Sequence, residues 1–280
     1  MAVLVQISDP HFGTERPHVV EGLVALVREQ QPALVVLSGD ITQRARRAQF
    51  AAARAFLDRL NAPHVLVIPG NHDIPLFNPV ARWLYAYRNY REAFGPELEP
   101  EYESDDLLVL GLNTTRPYRH KDGEVSDAQI RRVSDRLSAA RARQLKIVVT
   151  HQPVRVIRDS DVSNLLHGHE RAVRAWASAG ADLVLGGHIH LPYVRQLSDC
   201  FPDLPRRLWA VQAGTAVSHR VRDGVTNSVN IIRYAPRHAG QPDHSDLRAA
   251  GTVCDVERWD YHVGQERFER EHVQTIALER

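Results

Sequence analysis

Cysteine is scarce in this chain: Cys200 and Cys254 are the only two among 280 residues. They could form one disulfide at most, so a disulfide scaffold is excluded and a reducing cytoplasm is the expected compartment. Long apolar runs are missing as well. None approaches the roughly 20 residues that a membrane span needs. The N-terminal MAVLVQISDPHFG lacks the basic flank and the long apolar stretch of a signal peptide. Charge of one sign is also lacking, since 35 Lys and Arg oppose 34 Asp and Glu. A net charge of +1 gives no global field that would draw nucleic acid or an anionic membrane. There is no internal repeat and no low-complexity tract. What remains, 43% hydrophobic and 25% charged, is the composition of a globular protein. A chain of this length can bury about three-quarters of its unfolded surface, enough for one large core. A single domain over residues 1–280 is therefore expected.

Apolar runs at 2–7, 34–37 and 64–68 read as buried strands, with helical patterns between them at 19–30 and 43–60. That β-α-β-α-β order predicts right-handed crossovers and a parallel core sheet. Further strands are expected at 107–112, 146–150, 183–185, 207–213, 228–234 and 252–262. No helical pattern separates the last three, so they are expected to pair as antiparallel neighbours in a C-terminal region at about 205–280. Two sheets packed face to face with helices outside is the expected arrangement. Residues 74–95 form a helical excursion in which Trp83, Tyr87, Tyr90 and Phe94 fall on one stripe, read either as core docking or as a lid. The Pro-, Gly- and His-rich stretch 235–251 reads as a loop.

Histidine is what the chain has in excess, with 15. Several stand where a strand is expected to end. Strand 2–7 runs into Asp9-Pro10-His11, 34–37 into Gly39-Asp40, and 64–68 into Gly70-Asn71-His72-Asp73. Likewise 146–150 runs into His151 and 183–185 into Gly186-Gly187-His188-Ile189-His190. In a sheet with parallel strands those ends share one rim, where ligands bind. Asp9 and His11, like His188 and His190, are two apart and point to the same side if the backbone is extended. Carboxylate, imidazole and amide oxygen without thiolate suit Mn, Fe, Co, Ni or Zn. There are more candidate ligands than one ion needs, and two ions sharing a carboxylate would use them. His167-Gly168-His169 has the same spacing but leads into a helical pattern, so it is read as a loop or helix start. Arg44, Arg46, Arg47 and Arg54 are read as a solvated helix face.

The ordered set D-x-H, G-D, G-N-H-D, H and G-G-H-x-H, from Asp9 to His190, resembles the calcineurin-like metallophosphoesterase family. Within it, the set is similar to the class III cyclic-nucleotide phosphodiesterase branch. The resemblance implies an α/β fold, a four-layer αββα sandwich of two mixed β-sheets flanked by helices. It implies that Asp9, His11, Asp40 and His190 hold one ion and that Asp40, Asn71, His151 and His188 hold the other. It also implies that His72 faces the phosphate, with Asp73 orienting it. Mn or Fe are the first expectations for the ions, with Zn also admissible.

The implied reaction is attack on a small phosphodiester by a hydroxide bridging the two metals, with protonated His72 assisting the leaving oxygen. Cyclic AMP is the first substrate expectation. A UDP-2,3-diacylglucosamine pyrophosphatase of the lipid A type and a nuclease are the alternatives. The first is disfavoured by His72, since those enzymes resemble G-N-x-D without histidine there; the second is disfavoured by the neutral charge. Diesters are expected over monoesters, because the motifs supply only His72 for a monoester's additional charge. The expected partner is thus a small-molecule phosphodiester, with no membrane span and no nucleic acid, and with homo-oligomerisation left open. Residues 113–116 and 218–222 are placed near the site by analogy alone.

Overall fold

The structure is a computed structural model describing residues 1–76, 78–222, 224–235 and 253–279. Its first sheet is built from β1 (Ala2–Ile7), β2 (Leu34–Ser38), β3 (Val65–Ile68), β10 (Ser228–Tyr234), β11 (Val253–His262) and β12 (Arg267–Ala277), in the order β12-β11-β10-β1-β2-β3. The second holds β4 (Glu101–Glu103), β5 (Leu107–Gly111), β6 (Leu145–Val149), β7 (Leu183–Gly186), β8 (Tyr193–Gln196) and β9 (Trp209–Gln212), in the order β4-β5-β6-β7-β9-β8. Within the first, β1, β2 and β3 are parallel and β10 to β12 antiparallel. Within the second, β5, β6, β7 and β9 are parallel, with β4 and β8 antiparallel at the edges.

Strands buried on both faces explain the continuous apolar runs in the sequence. Leu4, Val36, Leu66 and Ile68 of the first sheet meet Val109, Ile147, Val149 and Leu185 of the second between the sheets. The alternate residues Val5, Val35, Leu37 and Val67 face outward. They pack there against α1 (Pro17–Gln30), α2 (Arg47–Leu60) and α4 (Arg88–Phe94). Leu108, Leu110, Val148 and Val184 do the same on the other side, against α5 (Asp127–Ser138) and α6 (His169–Ser178). The result is the expected four-layer αββα sandwich.

Several local readings change. The strand at 207–213 does not join the C-terminal antiparallel group; β9 lies beside β7, parallel to it. The short strand β8 lies between them in sequence and takes the edge, so the chain crosses over without a helix. The helix expected from 43 begins only at Arg47, because residues 43–46 are held as a loop whose Ala45 has φ 52° and whose carbonyl accepts from Asn89 Nδ2. The aromatic stripe is broken. Trp83 lies in a separate short helix, α3 (Pro79–Leu84), and is 68% exposed, whereas Tyr90 is fully buried and Phe94 packs on the same core. Apart from Ala235, the stretch 235–251 lies outside the described residues.

Candidate metal centre

Five chain segments that leave strands towards the shared rim each deliver part of the site. Residues 9–11 follow β1, Asp40 follows β2, and 71–73 form a single 3-10 turn after β3. His151 follows β6, and 188–190 follow β7. Backbone hydrogen bonds tie these turns together: Asp9 N–H donates to Gly39 O, His11 N–H to Asp40 O, and Gly187 N–H to His151 O.

The extended backbone expected around the paired ligands is not what brings them together. Asp9, His11, Asp40, His188 and His190 all adopt left-handed φ values, between 46° and 70°. Such a conformation costs an L-residue roughly 1–2 kcal/mol, and it concentrates where function holds it in place. Two glycines allow the close approach. A methyl group at Gly70 would sit 2.0 Å from the backbone nitrogen of Asp40. At Gly187 it would sit 2.0 Å from Ser8 Oγ and 2.4 Å from Asp9 Oδ2.

The side chains form clusters of potential ligand atoms: Asp9 with His11 and His190, Asp40 with His151 and His188, and His11 with Asp40 and His72. His11 Nε2 lies 3.1 Å from His190 Nε2, 3.8 Å from Asp9 Oδ1 and 3.8 Å from Asp40 Oδ2. His190 Nε2 is 3.3 Å from Asp9 Oδ1, and His151 Nε2 is 3.2 Å from Asp40 Oδ1. Three ring orientations are set from behind by backbone carbonyls. His151 Nδ1–H donates to Ser38 O at 2.9 Å, His190 Nδ1–H to Arg220 O at 2.6 Å, and His72 Nδ1–H to Gln43 O at 2.9 Å. Each bond leaves Nε2 directed into the site, the arrangement that orients and strengthens an imidazole ligand.

Charge is strongly organised. Burial would raise Asp9, but the neighbouring His190 holds it at about 2. Burial is likewise outweighed at Asp40, which His151 keeps well below the usual carboxylate range. Burial would lower His151, yet the charge of Asp40 takes it up to about 9; His190 is raised by Asp9 in the same way. Burial, with the charge of His151, pushes His188 down to about 3, and burial takes His11 well down as well. Within the protein alone, each of the two buried carboxylates is thus paired with a histidine whose affinity for its proton it raises.

The fit to metal ions rests on atoms the protein does not satisfy by itself. Asn71 Oδ1, both ring nitrogens of His188 and His11 Nδ1 are shielded from solvent without a hydrogen-bond partner among the described residues. Buried polar atoms are rarely left so. With His11 Nε2, His151 Nε2 and a ring nitrogen of His188 gathered around the buried carboxylates, the donor set suits a hard or borderline divalent cation.

Asp73 does something other than orient His72. Its carboxylate accepts from the N–H groups of Ile41, Thr42 and Gly70 and from Thr42 Oγ1, at 2.8–3.0 Å. It thus staples the turn after β3 to the turn after β2. Burial and the charge of Asp40 push it up to about 6. The group that orients His72 is the Gln43 carbonyl. Residues 113–116 do not line the cleft, because Asn113 is held by Thr115 and Gln129. His167 and His169 stand apart from all three clusters. Gly168 precedes α6, and His169 donates from Nδ1 to Leu166 O.

A cleft of about 610 Å³ opens over Asp40, Asn71, His72, His188 and His190. Arg44, His120, Lys121, Arg220 and Arg222 also line it. The arginines and the lysine were not legible from the motifs, and they remove the premise that His72 alone is available for phosphate charge. Arg220 NH1 lies 3.2 Å from His72 Nε2 and 3.1 Å from Gln43 Oε1.

The sequence model of the calcineurin-like phosphoesterases matches residues 2–192. A probable cyclic nucleotide phosphodiesterase of Rhodococcus erythropolis is 25% identical over 202 residues, 67% of this chain and 64% of its own length. One from Synechococcus is 25% identical over 69% of this chain and 74% of its own. A probable glycerophosphodiester phosphodiesterase of Arcobacter nitrofigilis is 24% identical over 67% and 71%. The fold is shared with a dimetal phosphatase from Danio rerio, at a TM-score of 0.64 and 13% identity over 99% of both chains. It is shared too with a purple acid phosphatase from yellow lupin, at 0.66 and 12% over 99% of this chain and 53% of that one. With the family's pattern matched over more than half its length, and with that fold and donor set, this chain belongs to the calcineurin-like phosphoesterases.

Proposed function

We propose that this chain is a metal-dependent phosphodiesterase acting on a small phosphodiester, with cyclic AMP as the first substrate to test. Asp9, His11, Asp40 and His190 would hold one ion. Asp40, Asn71, His151 and His188 would hold a second, with Asp40 shared. The observation that carries this reading is that Asp40 stands within reach of histidines from both groups, His11 on one side and His151 and His188 on the other. When bound, such ions supply hydroxide at neutral pH and positive charge against phosphoryl oxygens. The Ser38 and Arg220 carbonyls hold a proton on Nδ1 of His151 and His190, so that Nε2 is the atom left to face an ion. His72, anchored through its Nδ1–H, offers Nε2 to the leaving oxygen. A cleft of about 610 Å³ lies within the ~300–1,000 Å³ of small-ligand sites. The Rhodococcus and Synechococcus relatives, by name probable cyclic nucleotide phosphodiesterases, favour a cyclic nucleotide, and the Arcobacter relative, by name a probable glycerophosphodiester phosphodiesterase, a glycerophosphodiester.

The test is a substrate panel with metal-replete protein: cyclic AMP, a glycerophosphodiester, an aryl diester and the matching aryl monoester. Hydrolysis of a diester, lost on chelation and restored by manganese, is the expected result. Turnover of the monoester alone would make the protein a phosphatase and end the diesterase reading.

A further inference from the structure

Two arginines from the segment between β9 and β10 line the cleft, and they differ in how their charge is used. Arg222 NH1 donates to Asp161 Oδ2 at 2.9 Å and to Ile189 O, so its charge is met by a carboxylate. Arg220 donates to the neutral Gln43 Oε1 and lies against His72 Nε2; among the described residues it forms no ion pair with a carboxylate. Its guanidinium is part-buried beside the expected ligands, where the effective dielectric is low and an unmatched cation attracts an anion strongly. The main chain that carries it is firmly set. Arg220 N–H donates to Ser218 Oγ, Ser218 Oγ meets Thr14 Oγ1 at 2.9 Å, and Asn227 Nδ2 donates to Ser218 O. Arg220 O, in turn, holds His190. One residue therefore steadies a proposed ligand with its carbonyl and presents a fork of N–H donors with its side chain.

We propose that Arg220 is a phosphate-binding residue, gripping a non-bridging phosphoryl oxygen beside His72 with a hold that strengthens with the charge of the phosphoryl group. This rests on the phosphoesterase reading of the site. A planar guanidinium suits phosphate because it donates two parallel hydrogen bonds. On approach of the anion it exchanges Gln43 Oε1 and His72 Nε2 for charged oxygen, which leaves His72 Nε2, when it carries a proton, free to donate it to the leaving oxygen. A diester offers one negative charge to this grip. A terminal phosphate offers two, so it loses more when the grip is removed.

The two roles of Arg220 can be separated, because replacing the side chain leaves the carbonyl that holds His190. The experiment compares wild type, Arg220→Ala and Arg220→Lys, all metal-replete. It measures metal content, the binding of inorganic phosphate by calorimetry, and kcat and KM for an aryl diester and its monoester. Metal content should be unchanged in both variants. Phosphate binding and monoester kcat/KM should fall about 10–100-fold in Arg220→Ala, the scale of a hydrogen bond to a charged group. The diester should lose less, about 10-fold or under, and Lys should restore part of each loss. Equal phosphate binding by wild type and Arg220→Ala, or no phosphate binding by wild type, would overturn the proposal. A wild type that binds phosphate through Arg220 yet hydrolyses no diester would leave the phosphate site standing and remove the diesterase reading.

Discussion

At the scale of single residues, the site is a problem of charge shared between few groups. Asp40 has the most to do. It lies 3.8 Å from His11 and 3.2 Å from His151, and its Oδ1 accepts from His72 N–H at 2.8 Å. Replacing it removes a proposed ligand from both ions together with an anchor for His72. Asp40→Ala should lower metal content from two ions per chain to less than one and kcat by at least about 10³-fold; elemental analysis beside turnover checks both, and a fully loaded variant would sink the shared-ligand assignment. His151 allows a sharper test of ligation. Its position at about 9 means that the ring is protonated at pH 7, and Nε2 can bind a metal only after losing that proton. Metal binding at pH 7 should release at least about one proton per chain. Affinity should rise as pH climbs towards 9 and fall as it drops below neutral. Calorimetry in two buffers of different ionisation enthalpy measures the release, and none would mean that His151 is not a ligand.

Elements decide how much of this could be read beforehand. The ligand turns were legible because short strings such as Gly70-Asn71-His72-Asp73 carry their chemistry in residue type and follow strands whose apolar runs are unmistakable. Their conformation was not, since periodicity says nothing about a left-handed turn at Asp9 or His188. Arg220 is a different case: analogy placed 218–222 near the site, but which side chain of that segment meets His72 is set by the link from β9 to β10 and carries no pattern in the sequence. β12 escaped notice because its sequence, RFEREHVQTIA, is largely polar and exposed on an edge. β4 and β8 are too short to show a pattern. The tight packing of the turns themselves can be tested at Gly70, where an added methyl group would meet the backbone of Asp40 rather than a flexible side chain. Gly70→Ala should displace Asp40 and reduce both metal content and kcat by at least about 10-fold, while circular dichroism stays close to wild type because the strands on either side are untouched. A variant with full metal and full activity would show that the two turns have slack.

Across the whole molecule, the site is where two sheets meet. Asp9, His11, Asp40 and Asn71 come from strands of the first sheet, and His151, His188 and His190 from strands of the second. Below the rim the sheets are joined by an apolar layer in which Leu4, Val36, Ile68, Ile147, Val149 and Leu185 are buried. Nearer the rim the joint is polar: Gln6 Nε2 donates to Ser38 Oγ and to Gly186 O, and Asn230 Nδ2 donates to Gln6 Oε1. At the rim itself each of the two proposed ion sites has members from both sheets, so an ion bound there would clamp one sheet to the other. A ligand that binds only the folded chain stabilises it by about 2.7 kcal/mol when present at 100 times its dissociation constant. For a chain of 280 residues that corresponds to a rise in Tm of about 5 °C. Thermal unfolding followed with and without a chelator, and again after manganese is restored, should show this shift in wild type. Asp40→Ala, having lost the ligand shared by both sites, should unfold at nearly the same temperature under all three conditions. If wild type and variant respond to the chelator alike, the metal contributes nothing to the joint, and the apolar and polar layers beneath hold the sheets together on their own.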